Sequence, residues 1–574
     1  MTFAAAKFGR FLPAAAFAMT TEYLMGLVDT VVSGHVVGEQ GLSAVNLMQP
    51  IFSVVSFLAL LVGTGTAILY ATEMGRFDRR RASEILTQGL WCALGLGSML
   101  AIALFVLRNP VLDSFGASDE VRALAGDFWL FYAPCALSET LAFFFVSLCN
   151  SDGNPRICLF AYCVELVANC VISVPLTRHY GLGGCAFGTF CASAIAVGVL
   201  LLHFRRRSCS LKFVRHFSLA DSGRIVSCAA GDASVRICQA LLFYILNFYV
   251  IAKLGSDKLP VLAAVLAVLG LSEALDCVPT AVQPLVGVYL GERNDRLVRL
   301  VMRYAGLAAL GIGGAVTAVL IAFPQAAVGA VGIEDPVLCA QAETAVRMVA
   351  AGLVGSAVIS LYNSYCMFIS KTVLAGFVSV VSALVIPCFL VFPLGALFGD
   401  RGVWAALGAA PFVALAVVAL VVVAKWGRKS FPLFIDLMRV RRSRVFNLVI
   451  TEESACATAQ AVAKYLAPRF SRRLASLASL LVEETLMTVR DRNGEKKILA
   501  EVSVDVSDGI CIIIRDDGEI FDITDADARA TSFRSYFVSN LMMAIPARRN
   551  MTTTSFNRNV FKIDNTKETS NEHR

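Results

Sequence analysis

The chain has 574 residues, of which 57% are hydrophobic and only 16% charged, and its mean hydropathy is +0.69. Soluble domains carry about 25% charged residues, so a wholly soluble protein is excluded. The net charge of +7 does not point to nucleic acid, because Arg and Lys sit in short clusters between apolar runs, as in the orienting loops of a membrane protein.

About 20 mostly apolar residues cross a bilayer core of about 30 Å. Twelve spans are expected, near 9–33, 42–71, 84–107, 120–148, 157–177, 183–203, 227–252, 259–289, 297–323, 343–369, 373–397 and 402–424. The first follows Lys7 and Arg10 and starts like a signal peptide. It runs past residue 30 and carries Glu22 and Asp29, too long and too polar for a cleaved leader. Basic residues favour the even loops: Arg76 and Arg79 to Arg81, then Arg156, then Arg205 to Arg207 with Lys212 and Arg215, then Arg293, Arg296 and Arg299. Lys425, Arg428 and Lys429 follow the last span, and the odd loops hold little beyond Arg108, Arg178, Lys253, Lys258 and Arg401. Positive charge resists translocation, so the even loops and both termini are expected in the cytoplasm. The seventeen cysteines are scattered through apolar segments with none at ligand spacing from a histidine. They read as small buried or lipid-facing residues, neither metal ligands nor a disulfide framework. His35, His179, His203 and His216 read as interfacial or loop residues.

The chain repeats itself. GTGTAILYATEMGRFDRRRA (63–82) aligns with AVQPLVGVYLGERNDRLVR (281–299), pairing Gly75 with Gly291, and VDTVVSGHVVG (28–38) pairs with LNFYVIAKLG (246–255). Two six-span halves in one orientation imply parallel repeats about an axis along the membrane normal, a transporter plan with substrate held between the halves. The expected organisation is a lobe at 1–203, a linker at 204–226, a second lobe at 227–429, a basic amphipathic connector at 430–444 on the inner leaflet, an α/β unit at 445–564 and a disordered tail at 565–574. In the α/β unit NLVIT is a strand, 452–467 and 470–492 are helices, and ILAEVSVDV and GICIIIRDDG form a hairpin. A helix near 531–545 and a strand around Asn559–Ile563 close it.

A carboxylate at membrane depth costs several kcal/mol and usually serves a pathway or relay. Asp29 and Glu22 lie on one face of the first span. Glu139 lies in the fourth span, and Glu165 in the fifth, one turn before Asn169. The plainer alternative for Glu139 and Glu165 is pairing with polar neighbours that fixes helix packing. In the second lobe Glu273 and Asp276 sit three apart before Pro279, Gln283 and Pro284. The prolines would kink the helix, giving a hinge or the wall of a cation-attracting cavity. Asp232 and Arg236, four apart, are placed to neutralise each other.

Pro13, VDTVVSGHVVGEQGLSAVNLMQP (28–50), the glycine-rich 63–75 segment, NSDGNPR (150–156), YGLGGCAFGT (180–189), QPLVGVYLGERND (283–295) and GDRGVWAAL (399–407) resemble the MATE (multidrug and toxic compound extrusion) family over roughly residues 1–430. The resemblance implies a bacterial cell-membrane antiporter that exports amphipathic or cationic small molecules against inward Na⁺ or H⁺, with no other cofactor. It makes Asp29 the coupling aspartate, with Na⁺ a candidate ligand at Asp29 and Asn169, and Thr189 a hydroxyl ligand. Ser173 stands where the family has a second Asp, and Glu165 is expected to replace it. A lipid-linked flippase of the same superfamily is the alternative within transport; a membrane sensor gating a cytoplasmic domain is another. The absence of GxxxxGK[ST] argues against a primary ATP-driven pump.

The C-terminal unit resembles the GHKL ATPase fold of anti-sigma-factor kinases. In LLVEETLMT (480–488) Glu484 matches the water-activating Glu, while Thr488 replaces the Mg²⁺-holding Asn. In RDDGEIFD (515–522) Asp516 would accept from the adenine amino group, with Gly518 admitting the base. The lid segment SYFVSNLMMA (535–544) has no Gly, and a phosphate cradle of backbone amides needs it. A degenerate, non-catalytic domain for regulation, dimerisation or a cytoplasmic protein partner is expected.

Overall fold

A computed structural model describes residues 2–37, 41, 44–45, 48–76, 78–114, 119–206, 209–255, 258–331, 335–427, 432–434, 443–494, 496–507, 509–519, 533–544, 547–553 and 556–563. The side chains of Glu22, His35, Asp232 and Asn247 fall outside that description, as do most of the 430–444 connector and the 565–574 tail.

Up to residue 427 the described chain is almost wholly helical. Phe3–Val36 starts at Thr2, whose hydroxyl accepts from Ala5 N at 3.3 Å. Gln49–Gly75, Arg79–Ser114, Asp119–Tyr132, Cys135–Ser151, Pro155–Tyr180 and Leu182–Leu201 follow. The second half begins at Leu219–Tyr249 and continues through Leu259–Gly270, Cys277–Gly291, Asp295–Ala322, Pro336–Ala350 and Leu353–Phe368. Among the described residues, eight helices are long and apolar enough to cross a membrane, or ten if two bent pairs each count as one span. Thr372–Trp426 is 55 residues long, about twice what a bilayer requires, and Gly399 breaks it at φ 63°. Glycine alone enters that region without cost. The expected 120–148 span is two helices bent by 49° at Ala133–Pro134.

The two halves meet along Gln49–Gly75 and Cys277–Gly291. A Cβ on Gly291 would lie 2.5 Å from Gly75 Cα, and one on Gly287 would lie 2.8 Å from Ala71 Cβ. These are the positions the internal repeat equates, and equivalent residues of parallel repeats meet where their axis passes. The seam lies at the end that carries the basic loops: Arg81 bridges Asp221 at 2.5 Å, and the linker's Ser210 contacts Asp152.

Beyond residue 442 lies an antiparallel five-stranded sheet, β1 (Ser443–Val449), β2 (Leu499–Asp505), β3 (Ile510–Asp516), β4 (Ala547–Thr553) and β5 (Asn557–Ile563), in the order β1-β2-β3-β5-β4. Glu452–Leu466 and Arg472–Asn493 bury Leu481, Val482 and Leu486 against Val502, Val504, Ile512 and Ile514. Thr451 and Ser454 form a capping box at the start of the first of these helices. β4 has no counterpart in the sequence reading, since ARRNMTT lacks apolar alternation.

The middle of the other face is covered as well. The register aligns Asn447, Glu501, Arg515 and Arg558 across β1, β2, β3 and β5. This row is pressed on the basic end of the helical unit, where Arg515 and Arg558 both reach Glu292.

Candidate functional site

Asp29, on the helix Phe3–Val36, is 7% exposed. Helix Leu182–Leu201 approaches closely because Gly188 replaces any side chain opposite Ser173. That approach brings Thr189 Oγ to donate to Asp29 Oδ1 at 2.9 Å, with the Cys185 thiol on the same oxygen at 3.7 Å. Asn169 Oδ1 accepts from Ser173 Oγ at 2.6 Å and lies 3.5 Å from Thr189 Oγ. Asp29, Asn169, Ser173 and Thr189, which the family resemblance selected, therefore form one buried oxygen cluster drawn from three helices. Carboxylate, amide and hydroxyl oxygens suit a hard cation or a proton.

Glu139 accepts from Tyr132 OH at 3.2 Å. Glu165 is half-buried one turn from Asn169. Hydropathy patterning could not have selected Cys185 or Tyr132, whose roles depend on helix approach.

The second-lobe residues line cavities. Asp276, Pro279, Gln283 and Arg236 face a space between the halves that Thr64, Phe143, Ser147 and Asn150 close from the first half. An adjoining cavity holds Glu273, Asp276, Arg236, Gln239 and Asn363. Helix Leu259–Gly270 stops before Glu273 and restarts at Cys277. The break exposes both carboxylates, and Pro279 in the new helix's first turn needs no N–H partner. Asp276 accepts from Ser360 Oγ at 2.5 Å. Arg236 pairs with Glu273, a long-range partner invisible to i,i+4 spacing, while the expected pairing with Asp232 falls on a side chain outside the described residues.

His203 also departs from its sequence reading. It is buried, its Nε2 donating to Asp152 Oδ2 at 2.8 Å and its Nδ1 accepting from Asn154 at 3.0 Å. Asp152, His203 and Cys209 have ligand atoms within 4.8 Å of one another, a grouping that chain folding makes and spacing does not announce.

In the C-terminal sheet Glu484 pairs with Arg534 at 3.0 Å, and Thr488 Oγ donates to Glu484 O at 2.7 Å. Asp516 Oδ1 accepts from Asn557 at 2.9 Å and from Gly518 N at 3.1 Å. Burial pushes this carboxyl up to about 6 despite both bonds. Asn493 fills the space beside Gly518, 2.6 Å from where a Cβ would stand.

The MatE family model matches residues 14–174 and again 233–392, together more than half of the chain. The chain is similar to DNA damage-inducible protein F of Escherichia coli (strain K12), 27% identical over 315 residues that cover 51% of this chain and 66% of that protein. It is similar to the multidrug export protein MepA of Staphylococcus haemolyticus (strain JCSC1435), 22% identical over 196 residues, 34% of this chain and 43% of that protein. These matches thus span less than two thirds of either relative. The fold resembles the outward-facing structure of a multidrug resistance MATE family transporter of the MOP superfamily, at TM-score 0.68 and 20% identity over 74% of this chain and 95% of that one. Another MOP superfamily transporter, from Pyrococcus furiosus, described with a binding pocket of reverse polarity, matches with the same score and coverage. With the family model matched once in each half around the axial glycine seam, the chain belongs to the MatE family of membrane transporters.

Proposed function

We propose that the protein is a secondary antiporter of twelve spans in a bacterial cell membrane, with its basic end and both termini in the cytoplasm. It exports amphipathic or cationic small molecules in exchange for Na⁺ or H⁺. The observation that carries this reading is the buried Asp29 carboxylate, held by Thr189 and Cys185 beside Asn169. A buried carboxylate with neutral oxygen donors is stable only while something balances its charge, so an inward-moving cation binds there and leaves with each cycle. The relatives named for multidrug export add weight to small-molecule cargo.

Carboxylates outnumber bases in the second-lobe cavity, where Glu273 and Asp276 face the single guanidinium of Arg236. This favours cationic cargo over an anionic lipid-linked one. The C-terminal sheet reads as a degenerate GHKL-like domain without catalysis, because Glu484 is engaged by Arg534 and Asn493 occupies the approach to Gly518. Efflux of a fluorescent cation from proteoliposomes under imposed pH or Na⁺ gradients tests the function. Transport indifferent to both gradients would refute ion coupling, and the gradient that drives it identifies the ion.

A further inference from the structure

We propose that the C-terminal domain is a conformational clamp: it grips the seam between the two transporter halves only while their cytoplasmic ends are together, and so sets the resting state. This rests on the antiporter reading above, with the two halves parting to open each side in turn (alternating access).

The face of an antiparallel sheet away from its helices is ordinarily solvated. Here that face is buried and charged. Glu501 and Arg515 have fully buried side chains, and Arg558 is 1% exposed. Their partners lie in the membrane unit. Arg515 bridges Glu501 at 2.7 Å and also reaches Glu292, stacking over the Tyr289 ring with its guanidinium 5.0 Å from the centroid. Ser503 accepts from Asn294 Nδ2 at 2.8 Å. Glu292, Tyr289 and Asn294 all belong to the second half.

Arg558 differs, because it spans the seam. One arm of its guanidinium holds Glu292 Oε1 at 3.2 Å, just beyond Gly291 of the second half. The other donates to the carbonyl of Met74, just before Gly75 of the first half. The N-terminus adds a second hold on the first half. Phe3 N donates to Asn447 Oδ1 at 2.8 Å, and the Phe3 ring meets Phe556 edge-on at 5.3 Å.

Two acids and two bases balance this network, so it tolerates burial only when complete. Opening the cytoplasmic side must separate Met74 from Glu292. Arg558 can follow one of them only, leaving either a buried carboxylate short of a donor or an orphaned carbonyl. The domain therefore binds the closed seam more tightly than the open one, and a differential affinity is what shifts a conformational equilibrium. By reciprocity, whatever opens the seam also loosens the domain, so the domain senses the transport cycle as well as restraining it. A domain that merely decorated the transporter would bond one half.

The test uses the full chain in lipid nanodiscs, with genetically encoded spin labels at the exposed Arg80 and Arg299, one in each half, read by pulsed dipolar spectroscopy. Substrate and ion conditions are varied until the wild type shows both a short and a long distance. Arg558→Ala should raise the long-to-short ratio roughly tenfold or more, from the loss of a charged hydrogen bond to each side. Arg558→Lys, with one head in place of two, should fall between. Glu292→Ala changes the membrane unit and no residue of the sheet, and should shift the ratio the same way. Unchanged ratios in both alanine variants would overturn the clamp while alternating access stands. A wild type with a single distance under every condition would overturn alternating access and the clamp together.

Discussion

Gly291→Ala is the sharpest test of the seam. The new methyl carbon would stand 2.5 Å from Gly75 Cα and 2.5 Å from Thr72 O. Both are backbone atoms, so no rotamer change relieves the overlap. Carbon contacts are comfortable at about 3.5–4.0 Å, so the helices must part by about 1 Å. Overpacking of this kind costs about 1–3 kcal/mol, charged only to the conformation in which the seam is closed. The closed state should therefore lose about 5- to 150-fold in relative population. Gly75→Ala, with its Cβ 2.6 Å from Val288 O, should act alike. Gly198→Ala meets nothing within 4 Å and serves as control. Hydrogen exchange of the full chain in nanodiscs, followed over 63–75 and 281–291, should rise in both seam variants and not in the control. Efflux at a fixed gradient should fall as the closed state becomes scarce. Wild-type exchange and efflux in Gly291→Ala would refute the account of the seam.

Asp29→Asn should abolish gradient-driven efflux at unchanged expression: one pH unit supplies about 1.4 kcal/mol per proton, supporting about tenfold cargo accumulation in the wild type and none in the variant. Glu139→Gln should impair coupling, because it removes a half-buried carboxylate of the first lobe that Tyr132 holds in place, and a silent Glu165→Gln in the same proteoliposome assay would remove Glu165 as the substitute for the missing acid at Ser173. Burial raises the Glu501 carboxyl above the ordinary carboxylate range, with Arg515 holding it down in part; the folded state thus binds the proton more tightly than the unfolded chain, and this contribution to stability is lost as pH rises through that range. The stability gap in favour of Glu501→Gln, measured by denaturation of the full chain, should widen as pH rises from the carboxylate range toward neutrality, and a pH-independent gap would refute the assignment. Full-length protein should hydrolyse ATP no faster than its Glu484→Ala variant, with nucleotide binding measured separately by calorimetry.

Hydropathy located the helices because lipid exposure and burial both demand apolar residues. Hydropathy placed breaks less well. The interruption at Ala133–Pro134 and the restart at Cys277 depend on how neighbouring helices take up the freed backbone groups. Asp29, Asn169 and Thr189 were legible through family resemblance, since none is unusual for its span in isolation. The pairs Asp152–His203 and Arg236–Glu273 were not, because only the packed helices bring them together.

The buried outer face of the sheet shows where patterning misleads. In AEVSVDV the residues Glu501 and Ser503 alternate with valines, which reads as one face in the core and one in water. Periodicity senses polarity and is blind to solvent, so a charged face matched to a charged partner gives the same signal. The sequence carries the partner in another form. Gly75 and Gly291 stand at equivalent places in the repeat, each at the end of an apolar run and followed at once by polar, charged residues. Equivalent positions of two parallel repeats can touch only near their common axis, and glycines there permit the closest approach of the backbones. A domain appended at the same end and carrying two bases on one sheet row meets the carboxylate of Glu292 directly beside that axis. The repeat thus locates the gate, and the charge row locates what holds it shut.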